Sequence, residues 1–200
     1  MFQEQNQRLK LSMKPVRESF ERLGVVYAVG GAVAGIAHGY TRFTMDIDIV
    51  ADLRLEHIAA FVEDLEVANF FVDEWMIRDA IRWKRSFNVL NENTGVKLDV
   101  FISKGRPFDQ QLLARREMGY LGSDPEPAFE VESAEDYVLS KLSWYRQGGD
   151  ASDRQWNDIL SVLKVQSFSL DTRYMEKWAP ELGVADLLDK ALDQAGLKEE

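Results

Sequence analysis

Cysteine is absent from the 200 residues. No disulfide framework and no thiolate metal site can form, a composition that suits a reducing cytoplasm. Long apolar runs are missing as well. None approaches the ~20 residues needed to cross a bilayer, so no membrane association is expected. The first ten residues, MFQEQNQRLK, lack the hydrophobic stretch of a signal peptide, and a cytoplasmic location is the expectation. Positive charge is scarce: 24 Lys and Arg stand against 34 Asp and Glu, a formal net charge of −10. That balance excludes a protein that coats nucleic acid nonspecifically through an overall basic surface, while leaving room for a local basic groove. There is no internal repeat and no low-complexity tract. What is present is 46% hydrophobic residues, enough for a sizeable core. The length fits one domain with an appendage or two small domains.

The stretch Tyr27 to Val50 carries the most information. Tyr27-Ala28-Val29-Gly30 reads as the end of a buried strand. Gly30-Gly31 then allows a tight turn and close backbone approach to a ligand. Ala32 to His38 is small and apolar enough for a short helix, whose free N–H groups would suit a phosphate. Asp46-Ile47-Asp48-Ile49-Val50 reads as a strand in which residues two apart share a face. Asp46 and Asp48 therefore point one way, and Ile47 and Ile49 point into the core. Two carboxylates on one strand face repel each other, and a cation, a basic neighbour or a shared proton must offset that. Hard oxygen ligands at this spacing suit Mg²⁺. The plainer alternative is a helix cap or a solvated strand end.

Residues 4 to 23 read as an amphipathic helix, interrupted or started afresh near Pro15, with Val16, Phe20 and Leu23 inward. Leu55 to Leu65 reads as a helix with Leu55, Ile58, Ala59, Val62 and Leu65 on its inner face. His57 lies off that stripe, as a surface residue, and His38 closes the preceding short helix in a packing or capping role. Phe70 to Val72 is a short strand, and Asp73 caps a helix running from Glu74 to Lys84. Arg78, Arg82, Lys84 and Arg85 cluster there, either as a solvated helix face or as contacts to a triphosphate or an RNA phosphate. Phe87 to Leu90 and Val96 to Ile102 form a hairpin about the turn Asn91 to Gly95. Asp99 interrupts an apolar strand, and a lone aspartate there usually has a partner or a job. Phe108 to Met118 reads as helical, and Ala128 to Val131 as a strand. Ser133 to Asp136 has the spacing of a capping box. Helices at 133 to 148, 152 to 164, about 171 to 182 and 184 to 195 make the last third a small bundle. Asp153, Arg154 and Asp158 read as helix caps and interhelical ion pairs.

Two separated stretches resemble the nucleotidyltransferase fold, the polymerase-beta-like superfamily. The first runs from Gly30-Gly31 through His38-Gly39, Arg42 and Thr44 to Asp46-Ile47-Asp48-Ile49. The second is Ser86-Phe87-Asn88-Val89 followed by Gly95-Val96-Lys97-Leu98-Asp99-Val100-Phe101. They are similar in particular to bacterial members related to AbiE-type toxins, and the helical tail around Lys141 is similar too. The resemblance implies an α+β fold: a small mixed sheet with flanking helices, then a C-terminal helical bundle. Residues 1–124 would form the catalytic core and residues 125–200 the mainly helical domain. It implies transfer of a nucleoside monophosphate from a nucleoside triphosphate (NTP) to a hydroxyl, with two Mg²⁺ held by Asp46, Asp48 and Asp99. Gly30, Gly31, Arg42, Thr44 and Lys141 would bind the nucleotide. A tRNA or other RNA end is the preferred acceptor, with a cognate antitoxin as a partner. Two alternatives stand beside this: a catalytically silent relative that binds nucleotide or a partner chain, and an antibiotic-modifying type of transferase. A deep closed acceptor pocket would favour the last, and an open basic groove would favour RNA.

Overall fold

Strict alternation of apolar and polar residues fixes which face of the central strands is buried. In a computed structural model, which describes residues 2–122 and 128–198, strand β2 (Asp46–Ala51) pairs in parallel with β5 (Lys97–Ile102). β5 in turn pairs antiparallel with β4 (Ser86–Asn91). Ile47, Ile49 and Ala51, with Leu98, Val100 and Ile102, and Phe87 and Val89, are buried on one face. The opposite face of the same strands carries Asp46, Asp48 and Val50, then Lys97, Asp99 and Phe101, then Ser86, Asn88 and Leu90. The full sheet has seven strands in the order β3-β4-β5-β2-β1-β7-β6. β3 is Phe70–Phe71, β1 Tyr27–Val29, β7 Phe129–Val131 and β6 Glu117–Gly119. The fold is α+β with a mixed sheet, as the sequence implies.

Helix α1 (Phe2–Leu23) and helix α3 (Ile58–Val67) cover the apolar face. A ladder of rings joins them to the sheet: Phe20 stacks on Phe61 with centroids 5.1 Å apart, and Phe61 meets Phe87 edge-on at 6.3 Å. The expected break at Pro15 does not occur. Leu9, Met13, Val16 and Phe20 are all fully buried on either side of it, so packing of one continuous stripe outweighs the lost backbone hydrogen bond. Leu55 to His57 forms a 3₁₀ turn ahead of α3, leaving Leu55 exposed. Phe61, not Ala59, takes the inner face. His57 is half-buried and not a surface residue, and its Nδ1 accepts from the Arg54 N–H at 3.2 Å.

Helix α4 (Glu74–Trp83) starts at Asp73, whose carboxylate accepts from the N–H groups of Trp75 and Met76. It ends at Lys84, which adopts the left-handed conformation, with φ +51°. Asn91 shapes the hairpin turn by accepting from the N–H groups of Asn93 and Thr94. Helix α5 (Pro107–Ala114) is shorter than the sequence suggests. Its expected last turn becomes β6, because Glu117 to Gly119 pairs antiparallel with β7.

β7 also pairs in parallel with β1, through Val29 and Val131. Strands from both sides of residue 124 therefore share one sheet. The boundary expected between residues 124 and 125 itself lies outside the described residues. After β7 come α6 (Ala134–Gln147), α7 (Asp153–Val165), α8 (Thr172–Trp178) and α9 (Ala185–Ala195). Ser133, Ser152 and Asp171 cap the first three through their side chains. Among the described residues no helix is long and apolar enough to cross a membrane.

Candidate active site

Register puts the acidic residues together. Asp48 and Asp99 are Cα partners across β2 and β5, and Asp46 is the partner of Lys97. All four therefore share the open face of the sheet. The Lys97 ammonium lies 2.7 Å from Asp99 Oδ2 and 3.7 Å from Asp46 Oδ1. Its hydrogen bond to Asp99 holds the Lys97 pKa above the usual lysine value. The Asp48 carboxyl is pushed up, first by burial and then by the charge of Asp99, while Lys141 pulls it the other way.

Helix α2 (Gly31–Ala37) begins where β1 ends. The Gly30 N–H donates to the Asp48 carbonyl at 2.8 Å, which ties the turn to β2. Gly31 has φ +56°, a conformation that L side chains rarely adopt, and a Cβ there would lie 1.8 Å from Asp48 Oδ2. The glycine is required twice, by its backbone and by the carboxylate against it. Gly31→Ala is therefore expected to cost about 1–3 kcal/mol from backbone strain and to displace Asp48. Urea unfolding of the variant checks the first effect. A parent-like midpoint would contradict it.

A cleft of about 640 Å³ opens beside this turn, within the usual range for small-ligand sites. Gly30, Gly31, Asp48, Val50 and Phe101 line it. So do the cations Lys84, Arg85, Lys104 and Arg106, and Lys141 and Trp144 of α6. Arg106 is tied to Asp109 by several short contacts. Lys84, Arg85 and Lys104 have no ion-pair partner among the described residues. Trp144 meets Phe101 edge-on at 4.9 Å. Asp46 and Asp99 flank the cleft on the same sheet face and do not line it.

The candidates divide accordingly. Gly30, Gly31, Asp48, Lys84, Arg85 and Lys141 are on the cleft wall. Arg42 and Thr44 are not, because other contacts hold them. Arg42 pairs with buried Asp158 at 2.5 Å. The Thr44 hydroxyl turns back on Asp46, donating to its carbonyl and accepting from its N–H, each at 3.2 Å. The Thr44 N–H donates to Gln5 of α1. Arg78 pairs with Glu74, and Arg82 lies over the Trp83 ring, so these two belong to the exposed face of α4. Lys141 is both cleft wall and ion-pair member, 3.2 Å from Asp158.

Two residues of the site escape the sequence reading. Lys97 is one, although its place two residues before Asp99 puts it on the same strand face. Glu132 is the other. It follows β7, lines the cleft, and is 3% exposed. Burial, then Asp136 and Asp48, push its carboxyl well above the ordinary range, against Lys141 and the Ser140 hydroxyl. Three acids lie within five residues here, Glu132, Glu135 and Asp136, and no sequence signal separates them. His38 closes α2 and its Nε2–H donates to the Glu132 carbonyl at 2.8 Å, a packing role as expected.

A search of solved structures finds chains of similar architecture. A nucleotidyltransferase-like antigenic protein from Paracoccidioides brasiliensis superposes with a TM-score of 0.62 at 18% identity, covering 94% of this chain and 92% of that one. The chain has the nucleotidyltransferase fold. ANT(2")-Ia, crystallised with adenylyl-2"-tobramycin, gives a TM-score of 0.59 at 14% identity, over 88% of this chain and 97% of that one. A solution structure of ANT(2")-Ia, described as an antibiotic-resistance factor, gives 0.55 at 13% identity, over 97% of each chain. No protein-family model matches the chain, and no curated protein matches it in sequence.

The fold raises the question of a divalent ion. Among the described residues no three His, Cys, Asp or Glu side chains are gathered closely enough to hold one. The chemistry of the donor set nonetheless fits a cation. Asp48 and Asp99 repel each other, and the Lys97 ammonium already stands between Asp99 and Asp46 as a cation would. The carboxylates of Asp46, Asp48 and Asp99 share this face of the sheet.

Proposed function

We propose that the chain is a nucleotidyltransferase that moves a nucleoside monophosphate from an NTP to an acceptor hydroxyl in the cleft. The observation that carries this reading is the alignment of Asp48 with Asp99 on adjacent parallel strands, beside a Gly30-Gly31 turn that lines a basic cleft. The acceptor oxygen attacks the α-phosphorus, the bond to the bridging oxygen of the β-phosphate breaks, and pyrophosphate leaves. The acceptor proton passes to the Asp99 carboxylate, which Lys97 orients by its contact to Oδ2. Lys84, Arg85, Lys104 and Lys141 supply positive charge to the phosphates, so positioning and neutralisation carry most of the rate. Mg²⁺ held by Asp46, Asp48 and Asp99, as one ion or two, would add charge neutralisation and lower the pKa of the attacking hydroxyl.

An RNA end, tRNA included, remains the favoured acceptor. The cations Lys84, Arg85 and Lys104, without an ion-pair partner among the described residues, and the half-exposed Trp144 ring suit a phosphate backbone and a stacked base. A toxin role, with a cognate antitoxin as partner, belongs to this reading. A small-molecule acceptor is the second reading, favoured by the bounded volume of the cleft and by the likeness to ANT(2")-Ia.

The test is incubation with each α-labelled triphosphate and Mg²⁺, in the presence of total RNA or of a deproteinised metabolite extract. Label entering RNA supports the first reading, and label entering small molecules the second. Triphosphate binding by calorimetry, with no label transferred to either, would leave a silent nucleotide-binding relative in place of the enzyme.

A further inference from the structure

We infer that Glu132 contacts the substrate: its carboxyl group, set into the cleft wall beside Gly30, hydrogen-bonds a hydroxyl group of the bound ligand. The assignment rests on the transferase reading above and adds a fourth carboxyl group to that site.

The carboxyl is almost fully enclosed and the Ser140 hydroxyl approaches it, yet among the described residues its Oε2 atom has no hydrogen-bond partner. Buried polar atoms are nearly always paired, and each exception calls for a reason. Other buried atoms share this condition, including the Tyr137 hydroxyl and the Trp178 indole nitrogen, but those residues do not line the cleft. Glu132 does.

The backbone holds the residue from both sides. The Glu132 N–H donates to the Val29 carbonyl at 2.9 Å, and the Glu132 carbonyl accepts from His38 Nε2 at 2.8 Å. Room has also been left for the side chain. Gly30 has φ −115°, outside the left-handed region that favours glycine. A Cβ at Gly30 would lie 2.8 Å from Glu132 Oε1. Gly30 thus makes space for Glu132 as Gly31 does for Asp48, and the two carboxyl groups stand either side of one turn. A group kept for the fold alone would be better replaced by a paired or apolar one. The inference does not depend on protonation state: an ionised carboxyl accepts from a hydroxyl, and a neutral one can also donate.

The hydroxyl belongs either to the ribose of the triphosphate or to the acceptor. Glu132→Gln and Glu132→Ala are compared with the parent in three measurements: the melting temperature without ligand, calorimetric binding of ATP, 2'-deoxyATP and 3'-deoxyATP with Mg²⁺, and the transfer rate at saturating triphosphate. A ribose contact gives at least a tenfold loss of ATP affinity in Glu132→Ala, shrinking to less than threefold for the deoxynucleotide that lacks the partner. An acceptor contact leaves all three affinities unchanged and lowers the transfer rate at least tenfold. In both cases ligand-free Glu132→Gln melts at or above the parent temperature, as expected of a group kept at a cost to the fold. Parent-like binding and transfer in both variants overturns the inference. So does a Glu132→Gln protein that melts well below the parent, since that marks a structural role. If the parent itself binds and transfers none of the four natural triphosphates, the transferase reading falls and takes this contact with it. Loss confined to the Glu132 variants, with an active parent, bears on Glu132 alone.

Discussion

Asp48→Asn and Asp99→Asn should each lower nucleotidyl transfer by about 10³-fold or more, while both proteins fold. The magnitude follows from losing the proton acceptor at Asp99, worth about 10²–10⁴-fold, and from a weakened hold on the divalent ion at both positions. The two carboxylates face each other across β2 and β5, so neither can replace the other. The control on folding has a sign of its own. The Asp48 pKa is raised in the folded chain, by burial and by Asp99. An acid raised in this way is free of penalty below its unfolded pKa, when it is protonated in both states, and becomes a liability as pH climbs through the folded value. Ligand-free Asp48→Asn should therefore melt at or above the parent temperature at neutral pH, with the advantage shrinking on acidification. Melting curves at pH 7 and pH 4 read this directly. A variant that is inactive and also much less stable would mean that Asp48 serves the fold.

The second large effect concerns Asp158. Its side chain is 1% exposed and receives both Arg42, from the segment before β2, and Lys141, from α6. Asp158→Ala leaves two largely buried cations without their counter-charge, and breaking a buried pair by removing one partner costs about 3–5 kcal/mol. Urea unfolding should show a loss of that size. Replacing the partner as well, in Asp158→Leu with Arg42→Met, should recover part of it, because no uncompensated guanidinium then remains. A loss below about 1 kcal/mol in Asp158→Ala would show that solvent reaches the pair and screens it. Transfer should fall too, since Lys141 on the cleft wall loses the partner that fixes its position.

Local patterns revealed the centre of the fold and non-local pairings hid its margins. β2 begins and ends where the alternation of Asp46 to Ala51 says, and the β4–β5 hairpin follows its turn residues. Because strand periodicity is two, the faces of Asp46, Asp48 and Asp99 could be read from the chain alone. Lys97, two residues before Asp99, obeys the same rule and shares their face. Arg42 and Thr44 are different. Nothing in their neighbourhood in the sequence shows that Asp158 and Gln5, from distant helices, claim them. β6 was hidden for a similar reason: Glu117-Met118-Gly119 has no strand pattern of its own and extends only because β7 lies alongside it. At Pro15 the local propensity points to a break, and the packing of the buried stripe on either side overrides it.

The pairing of β7 with β1 bears on how the chain is made. During synthesis, β1 and β2 can associate soon after they leave the ribosome, but the other side of β1 must wait for a strand formed much later. Until then Val29 has a bare edge, of the sort that recruits a neighbouring nascent chain. Glu132, which follows β7 directly, arrives with the strand that seals this edge, so this carboxyl takes its place as the sheet is completed, ahead of Lys141 and Trp144 of α6.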